Sequence, residues 1–264
     1  MHGFEYSAPA SVADAVAALA REDAKLLAGG QTLLPTMKQR LAAPSVLVDL
    51  RKIEGMTGIS REGDMIVIGA MTRHADVASS PVVHDAIKGL GALAGMIGDP
   101  AVRHRGTIGG SLANNDPAAD YPAAALALGA VIVTDKREIA ADDYFKGLFE
   151  TALAEDEIIT QVKFPIPEKS GYEKFRNPAS RYAMVGVFVA RTRSGVRVAV
   201  TGAGSSGVFR QKEMESALGA NFSGDAIKGV KIAAGDMISD LHGDAEYRAH
   251  LVGVMARRAV AAAA

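Results

Sequence analysis

The sequence contains no cysteine and no tryptophan, and only 5% of its 264 residues are aromatic. Without thiolates the chain by itself cannot form disulfides, a cysteine-ligated zinc site or an iron–sulfur cluster, and it has no cysteine nucleophile. Its charges nearly cancel, with 29 Lys and Arg against 30 Asp and Glu. The sequence therefore gives no sign of the basic surface that nucleic-acid or anionic-membrane binding requires.

Long apolar runs are absent too. The longest uncharged apolar stretch, residues 123–133, is far shorter than the roughly 20 residues that a membrane helix needs. The first residues show no basic segment followed by an apolar one, so no signal peptide is predicted. We therefore expect a cytoplasmic protein without a membrane span, which meets a membrane only through partner chains.

Apolar residues make up 48% of the chain, enough for a sizeable core in one large or two moderate domains. Their periodicity predicts both helices and strands, and hence an α+β or mixed α/β class. Two prolines and a glycine in residues 164–171 predict a boundary between two units. Helices are predicted over 11–20 with Ser11 as N-cap, 32–41, 72–78, 82–93, 211–218 and from 245 onward, and strands over 45–50, 65–70, 131–134, 182–191 and 196–200.

Glycine is over-represented, with 28 residues, and two diglycine loops share one pattern. Gly29-Gly30 follows an apolar segment and precedes Thr32, and Gly109-Gly110 precedes Ser111 in the same way. Adjacent glycines let backbone N–H groups converge on an anion, and a helix start and a hydroxyl add donors. Each pair could equally mark a simple turn. Acting together, the two loops could hold a pyrophosphate from opposite sides.

Three other features are interpreted as structural. Residues 202–207 read G-x-G-x-x-G after a strand pattern, as in a dinucleotide-binding fingerprint, but too few residues follow for a doubly wound domain. The histidines form no H-x-H or H-E-x-x-H pair, so no metal site is predicted. Asp142, Asp143 and the acidic run 155–157 are interpreted as solvent-exposed charges.

The segments AGGQTLLPTMKQRLAAPSVLVDLRKI and VRHRGTIGGSLANNDPAADYPAAALALGA resemble the FAD-binding, medium-size subunit of the molybdenum hydroxylases. That family includes aerobic carbon monoxide dehydrogenase and, as one domain of a longer chain, xanthine dehydrogenase. The resemblance covers nearly the whole chain. It implies a vanillyl-alcohol-oxidase-type (PCMH-type) fold with two α+β subdomains, about 1–55 and 56–168, and a small α+β C-terminal domain at 169–264.

The resemblance also implies non-covalent FAD. The first loop is expected at the pyrophosphate and the second at the pyrophosphate and flavin edge, with Asp120 near the adenosine part. From the residues alone, Arg176 could instead be a solvated surface side chain and Tyr182 a core residue, although both are expected at the flavin ring. The expected FAD-binding residues are Leu27, Ala28, Gly29, Gly30, Gln31, Thr32, Leu33, Ile97, Thr107, Ile108, Gly109, Gly110, Ser111, Asn114, Asp116, Asp120, Ile159 (against the adenine), Arg176 and Tyr182.

By the same resemblance the chain is an electron-transfer subunit without catalytic residues of its own. A large partner with Mo-molybdopterin would oxidise the substrate, for which carbon monoxide is one candidate. A small partner with two [2Fe-2S] clusters would pass electrons to FAD and on to a quinone, NAD or oxygen, within a dimer of heterotrimers. Two alternatives stay open: a self-sufficient FAD-dependent oxidase or dehydrogenase that binds its own organic substrate, and an assembly component that has lost FAD.

Overall fold

The computed structural model describes residues 1–263 and contains three main sheets with helices between and around them. The strands are β1 Glu5–Ser7, β2 Ala24–Leu27, β3 Val46–Asp49, β4 Ile59–Glu62, β5 Met65–Gly69, β6 Val131–Thr134, β7 Glu138–Ala140, β8 Phe145–Gly147, β9 Glu150–Thr151, β10 Ile159–Pro165, β11 Lys169–Arg176, β12 Ala183–Thr192, β13 Gly195–Thr201 and β14 Phe209–Arg210. The helices are α1 Val12–Leu19, α2 Leu33–Lys38, α3 His74–Ser79, α4 Pro81–Ala86, α5 Lys88–Met96, α6 Pro100–Arg103, α7 Ile108–Asn114, α8 Tyr121–Leu128, α9 Ala141–Tyr144, α10 Lys212–Ala220 and α11 Ala245–Ala262.

The sheets differ in their strand direction. The first is a parallel three-stranded sheet with the order β1-β3-β2. The second is antiparallel with the order β4-β5-β10-β6-β7, and the third is an antiparallel meander of β11 to β14. Strands β8 and β9 form a separate small hairpin. Strands and helices of these kinds in one chain confirm the α+β expectation.

Helix α8 is buried along its whole length. Its sequence, YPAAALAL, is apolar on every side, which is typical of a helix enclosed by other elements. It packs against β12 and β13 of the third sheet and against α5, α7 and β10. The apolar run at 123–133 therefore covers most of this core helix and the start of β6, and the many alanines of α8 allow its neighbours to approach closely.

Both faces of the third sheet are covered, and the sequence of its strands shows this. In β12, Val185, Val187 and Val189 face the core formed with α10 and α11. The alternate residues Phe188 and Ala190 join the main core around α8. This two-residue alternation between two apolar faces is the pattern of a strand buried on both sides.

Most predicted elements are present, and one of the predicted helices needs correction. The Ser11 hydroxyl caps α1 by accepting the N–H of Asp14. The helix predicted over 82–93 is instead two helices, because Ile87 leaves the helical conformation (φ −141°, ψ 74°). The break brings Gly89 against the third sheet, where its N–H donates to the Ser170 hydroxyl. Residues 202–207 form a turn that leads into β14, so a structural turn was the right interpretation.

One prediction concerns the contact between α11 and the third sheet. A Cβ at Gly171 would overlap the carbonyl oxygen of Ala259 in α11, so Gly171→Ala should lower the free energy of unfolding by about 3 kcal/mol. Gly253 lies inside the same helix with no atom near its Cβ position, so Gly253→Ala should raise it by about 0.5–1 kcal/mol. Chemical denaturation of the parent and both variants measures these free energies of unfolding. Equal stability of the two variants would contradict the close contact.

Candidate functional site

A cavity of about 620 Å³ lies between the parallel sheet and the five-stranded sheet. This volume is within the range of roughly 300–1,000 Å³ typical of ligand and cofactor sites. One side is formed by β2 and the loop that follows it, residues 24–33. The other side is formed by residues 106–120 and by the turn 153–159 that leads into β10.

The first glycine loop offers unpaired backbone donors. Within residues 1–263, the N–H groups of Gly29, Gly30, Gln31 and Thr32 have no hydrogen-bond acceptor, and all four residues line the cavity. Gly30 adopts φ +72°, a conformation that favours glycine. Four consecutive free N–H groups before a helix start form a suitable cradle for an anion.

The second glycine loop is different, because its N–H groups are already used. Ile108 donates to the carbonyl of Thr72 (3.1 Å) and Gly109 to that of Ala70 (2.8 Å). Gly110 donates to the Thr107 hydroxyl (3.2 Å), which caps α7, and Ser111 donates to the Thr107 carbonyl. The expected symmetry between the loops is therefore absent. Within residues 1–263, the polar groups that this loop leaves for a ligand include the Ser111 hydroxyl and the N–H of Thr107.

Glycine lets the two loops meet. A Cβ at Gly29 would overlap the carbonyl of Arg105 and lie 2.7 Å from the Cα of Gly106. A Cβ at Gly109 would lie 2.6 Å from that of Ala70. Gly110 is less restricted, since its Cβ position is 3.0 Å from the Thr107 Oγ1 and 3.5 Å from the Cβ of Ala28. These glycines are needed mainly for close packing of the cavity walls, rather than for space beside a phosphate.

The structure brings nearly all the expected residues to this cavity. Ile108 does not line it, because its side chain is fully buried in the main core. Arg176 does not line it either and is solvent-exposed at the end of β11. The residues that do line it are Leu27, Ala28, Gly29, Gly30, Gln31, Thr32, Leu33, Ile97, Thr107, Gly109, Gly110, Ser111, Asn114, Asp116, Asp120, Ile159 and Tyr182.

A buried polar cluster supports the wall at Asp120. The Tyr172 hydroxyl donates to Asp120 Oδ1 at 2.5 Å, and Lys174 Nζ forms an ion pair with the same atom at 2.8 Å. Burial raises the pKa of the Asp120 carboxyl, while the Lys174 ammonium and, more weakly, the charge of Arg176 oppose the rise. Sequence reasoning missed Lys174, since lysines are rarely buried and nothing in a strand pattern marks one that is.

Tyr182 lies near this cluster and is half exposed. Partial burial raises the pKa of its hydroxyl, and the charges of Asp116 and Asp120 raise it further. The phenol is therefore neutral at physiological pH. Ala118 and Tyr182 line both this cavity and a second, smaller one, so Tyr182 lies at the end of the cavity formed by residues 116–120.

His74 is a lining residue that sequence reasoning left without a role. Its ring is buried against Tyr121, with ring centroids 5.4 Å apart. Burial and the nearby Arg103 charge lower the His74 pKa to about 4, so the imidazole is neutral at pH 7. Among the described residues its Nδ1 has no hydrogen-bond partner.

Glu157 corrects the interpretation of the acidic run as fully exposed. Its side chain is only 1% exposed and forms an ion pair with Arg137. It also accepts hydrogen bonds from the Thr134 hydroxyl and the Ala154 N–H. These donors lower the Glu157 pKa to about 2. The network fixes the turn 153–159, which lines part of the cavity.

Comparison with known proteins identifies the family. The family model described as "FAD binding domain in molybdopterin dehydrogenase" matches residues 2–167. The carbon monoxide dehydrogenase medium chain of Hydrogenophaga pseudoflava is 39% identical, covering 98% of this chain and 96% of the relative. This chain belongs to the FAD-binding family of the molybdopterin dehydrogenases.

Two further relatives of this flavoprotein extend the comparison. The nicotine 6-hydroxylase medium subunit of Paenarthrobacter nicotinovorans is also 39% identical, covering 97% of this chain and 95% of the relative. A solved structure of carbon monoxide dehydrogenase from Oligotropha carboxidovorans superposes with a TM-score of 0.89 at 34% identity, over 99% of this chain and 97% of that chain. The fold is the PCMH-type α+β FAD-binding fold. No helix within residues 1–263 of the flavoprotein is long and apolar enough to span a bilayer.

The Glu157 network generates a pH prediction. A carboxylate with a folded pKa of about 2 and an ordinary value of 4.5 stabilises the fold above pH 4.5, and this contribution is lost as the pH falls from about 4.5 to about 2. Glu157→Gln should therefore lower the free energy of unfolding by about 2 kcal/mol at pH 7, and this difference from the parent should shrink below pH 4.5. Denaturant unfolding across this pH range is the measurement. Glu155→Gln, on the exposed side of the same turn, serves as the control and should show no such trend.

Proposed function

We propose that this chain is the FAD-carrying electron-transfer subunit of a molybdenum hydroxylase, with the pyrophosphate of FAD held by residues 29–32. The observation that carries this assignment is the run of four unpaired N–H groups on the cavity wall. A diphosphate needs several donors at close spacing, and the Ser111 hydroxyl on the opposite loop adds one. The cavity volume suits a dinucleotide enclosed over part of its length.

The two ends of the cavity suit the two ends of FAD. We assign the adenine to the end closed by Ile158, Ile159 and Leu19, where the lining is apolar. We assign the flavin ring to the end with Tyr182, whose aromatic face can cover a flat ligand. Because Asp120 lies at the Tyr182 end, the proposal places the Asp120–Lys174 pair beside the flavin, and no longer near the adenosine.

When bound, FAD supplies electron storage that can be filled and emptied in one- or two-electron steps. The chain's own residues position and shield this group. Lys174 does not line the cavity, and its ammonium pairs with the Asp120 carboxylate at 2.8 Å, so it balances the charge of that wall residue. Arg176 lies outside the lining and would act only as a more distant charge.

The lining offers little for substrate acid–base chemistry. His74 is held neutral with a pKa of about 4, Glu157 is bound in its own ion pair, and Asp120 is paired with Lys174. Glu157 and Asp120 are occupied in holding the walls, and His74, with its lowered pKa, is a weak base at pH 7, which favours electron transfer over a self-sufficient oxidase. The medium subunits of a carbon monoxide dehydrogenase and of a nicotine 6-hydroxylase are both 39% identical to this chain. The identity therefore favours neither substrate, carbon monoxide included, and the proposal assigns the choice of substrate to the partner chain.

Partners follow from the absence of cysteine. This chain cannot ligate an iron–sulfur cluster with cysteine, so we propose a small iron–sulfur chain and a large molybdopterin chain, assembled as a dimer of heterotrimers. A quinone, NAD or oxygen would be the final acceptor. We further propose a cytoplasmic location, and a division into residues 1–168 and 169–264, supported by a family match that ends at residue 167.

The main prediction concerns FAD itself. The purified chain should bind FAD non-covalently at one per chain, and Gly29→Ala should weaken binding by about tenfold or more, since the new Cβ pushes the two loops apart. Gly253→Ala, in an open part of α11, should bind FAD as the parent does. Equilibrium dialysis measures the affinities, and thermal unfolding checks that both variants fold.

Two results would contradict the proposal. A parent chain that folds but binds no FAD would favour an assembly component. Reduction of the bound flavin by an organic substrate, with the isolated chain and no partners present, would favour the self-sufficient oxidase. Reduction only in the presence of a reduced iron–sulfur partner is the expected outcome.

A further inference from the structure

Two rigid turns adjoin on the surface outside the flavin cavity. The first is the tip of the β8–β9 hairpin, Gly147–Phe149, where the side chains of Leu148 and Phe149 are 43% and 60% exposed. The second is the glycine turn Gly204–Gly207. The Cβ position of Gly207 lies 3.5 Å from the carbonyl of Gly147 and 4.0 Å from the Leu148 side chain. We name these two turns together the paired-turn surface.

The apolar tip of the β8–β9 hairpin is exposed, although one of its residues has an unfavourable backbone conformation. Phe149 has φ +57°, which is unfavourable for a bulky residue. Asn115 maintains this conformation: its carbonyl accepts the Phe149 N–H at 3.1 Å, and its side-chain amide donates to the carbonyls of Gly147 and Glu150, both at 2.9 Å. The fixed turn thus keeps two adjacent apolar side chains at the surface, where a partner can cover them.

The glycine turn is tied to the same stretch of chain. Two residues before the turn, Gly202 donates its N–H to the carbonyl of Pro117 at 2.8 Å. The Thr201 hydroxyl makes contacts with the carbonyls of Pro117 and Ala119, at 3.1 and 2.6 Å. Both turns are thus fixed to residues 115–119.

This stretch is also the cavity wall. Asn114, Asp116 and Ala118 line the cavity, while the residues between them, Asn115 and Pro117, hold the two turns. One layer of polypeptide therefore separates the cavity from the chain segments that carry the paired-turn surface. A group docked on this surface comes close to a ligand at the Tyr182 end.

We propose that the paired-turn surface docks the iron–sulfur partner chain; this rests on the proposed function of the cavity as a flavin site. Electron transfer between two redox groups slows steeply with distance, so the cluster-bearing partner is the one that must approach this wall. Leu148 and Phe149 form an apolar centre, and the exposed Lys146, Glu150 and Ser206 form a polar rim. That arrangement is typical of a protein interface with a small energetic centre.

The test uses the full chain with the iron–sulfur chain. The double substitution Leu148→Ser with Phe149→Ser removes the apolar centre, and Ser206→Arg adds a large side chain to the glycine turn. Each variant should bind the iron–sulfur chain about tenfold more weakly or worse in calorimetry. Flavin reduction by the reduced iron–sulfur chain, at limiting partner concentration, should slow in proportion. FAD content and the midpoint of thermal unfolding should stay as in the parent.

Matched controls lie elsewhere on the surface. Leu41→Ser removes a more exposed leucine (75%) that follows α2, and Ser194→Arg changes the turn at the opposite end of β13. Both should bind within about twofold of the parent. Parent-like binding by both test variants, or equal losses in the controls, would overturn the docking surface. Failure of the parent itself to bind any iron–sulfur chain would instead overturn the proposed function.

Discussion

The close approach of two glycine loops is the contact on which the cavity depends. Gly29 lies directly against the backbone at Arg105 and Gly106, with no room for a Cβ. On one side of this contact is the parallel sheet, and on the other is α7, which is bonded to the end of β5 through Ala70. The N–H groups of residues 29–32 have no partner in the described chain, while those of residues 108–111 are hydrogen-bonded. The contact therefore places the unpaired donors beside a wall whose backbone is fixed.

Charged groups in the cavity walls are fixed in pairs. Glu157 and Arg137 hold the turn 153–159, and Asp120 and Lys174 hold the wall near Tyr182. Breaking a buried pair leaves an uncompensated charge, which is costly, so these pairs favour one arrangement of the walls. A rigid cavity whose ionisable groups are already committed is well suited to positioning a cofactor and poorly suited to moving protons on a substrate.

The same wall connects the cavity to the exterior. Within residues 114–120, Asn115 and Pro117 hold the two turns outside, while Asn114, Asp116 and residues 118–120 line the cavity. The Gly202–Gly207 segment, which resembles a dinucleotide fingerprint in sequence, takes part in this surface as a flat turn with few side chains. Its glycines serve close packing, since a Cβ at Gly204 would lie 2.5 Å from the Gly207 carbonyl.

The sequence by itself determined the elements with strong periodicity, such as α1 with its Ser11 cap and the doubly buried β12, because these depend on local pattern. Through long motifs it also determined the family and the two glycine loops that line the cavity. Tertiary structure alone decided the break at Ile87, the burial of Glu157 and Lys174, and the different hydrogen bonding of the two loops. Each of these depends on a partner distant in sequence: Ser170 for Gly89, Arg137 for Glu157, Asp120 for Lys174 and Ala70 for Gly109. A local sequence pattern contains no information about such a partner. A charged residue beside a turn is therefore predicted to be exposed, although the fold can bury it against an opposite charge.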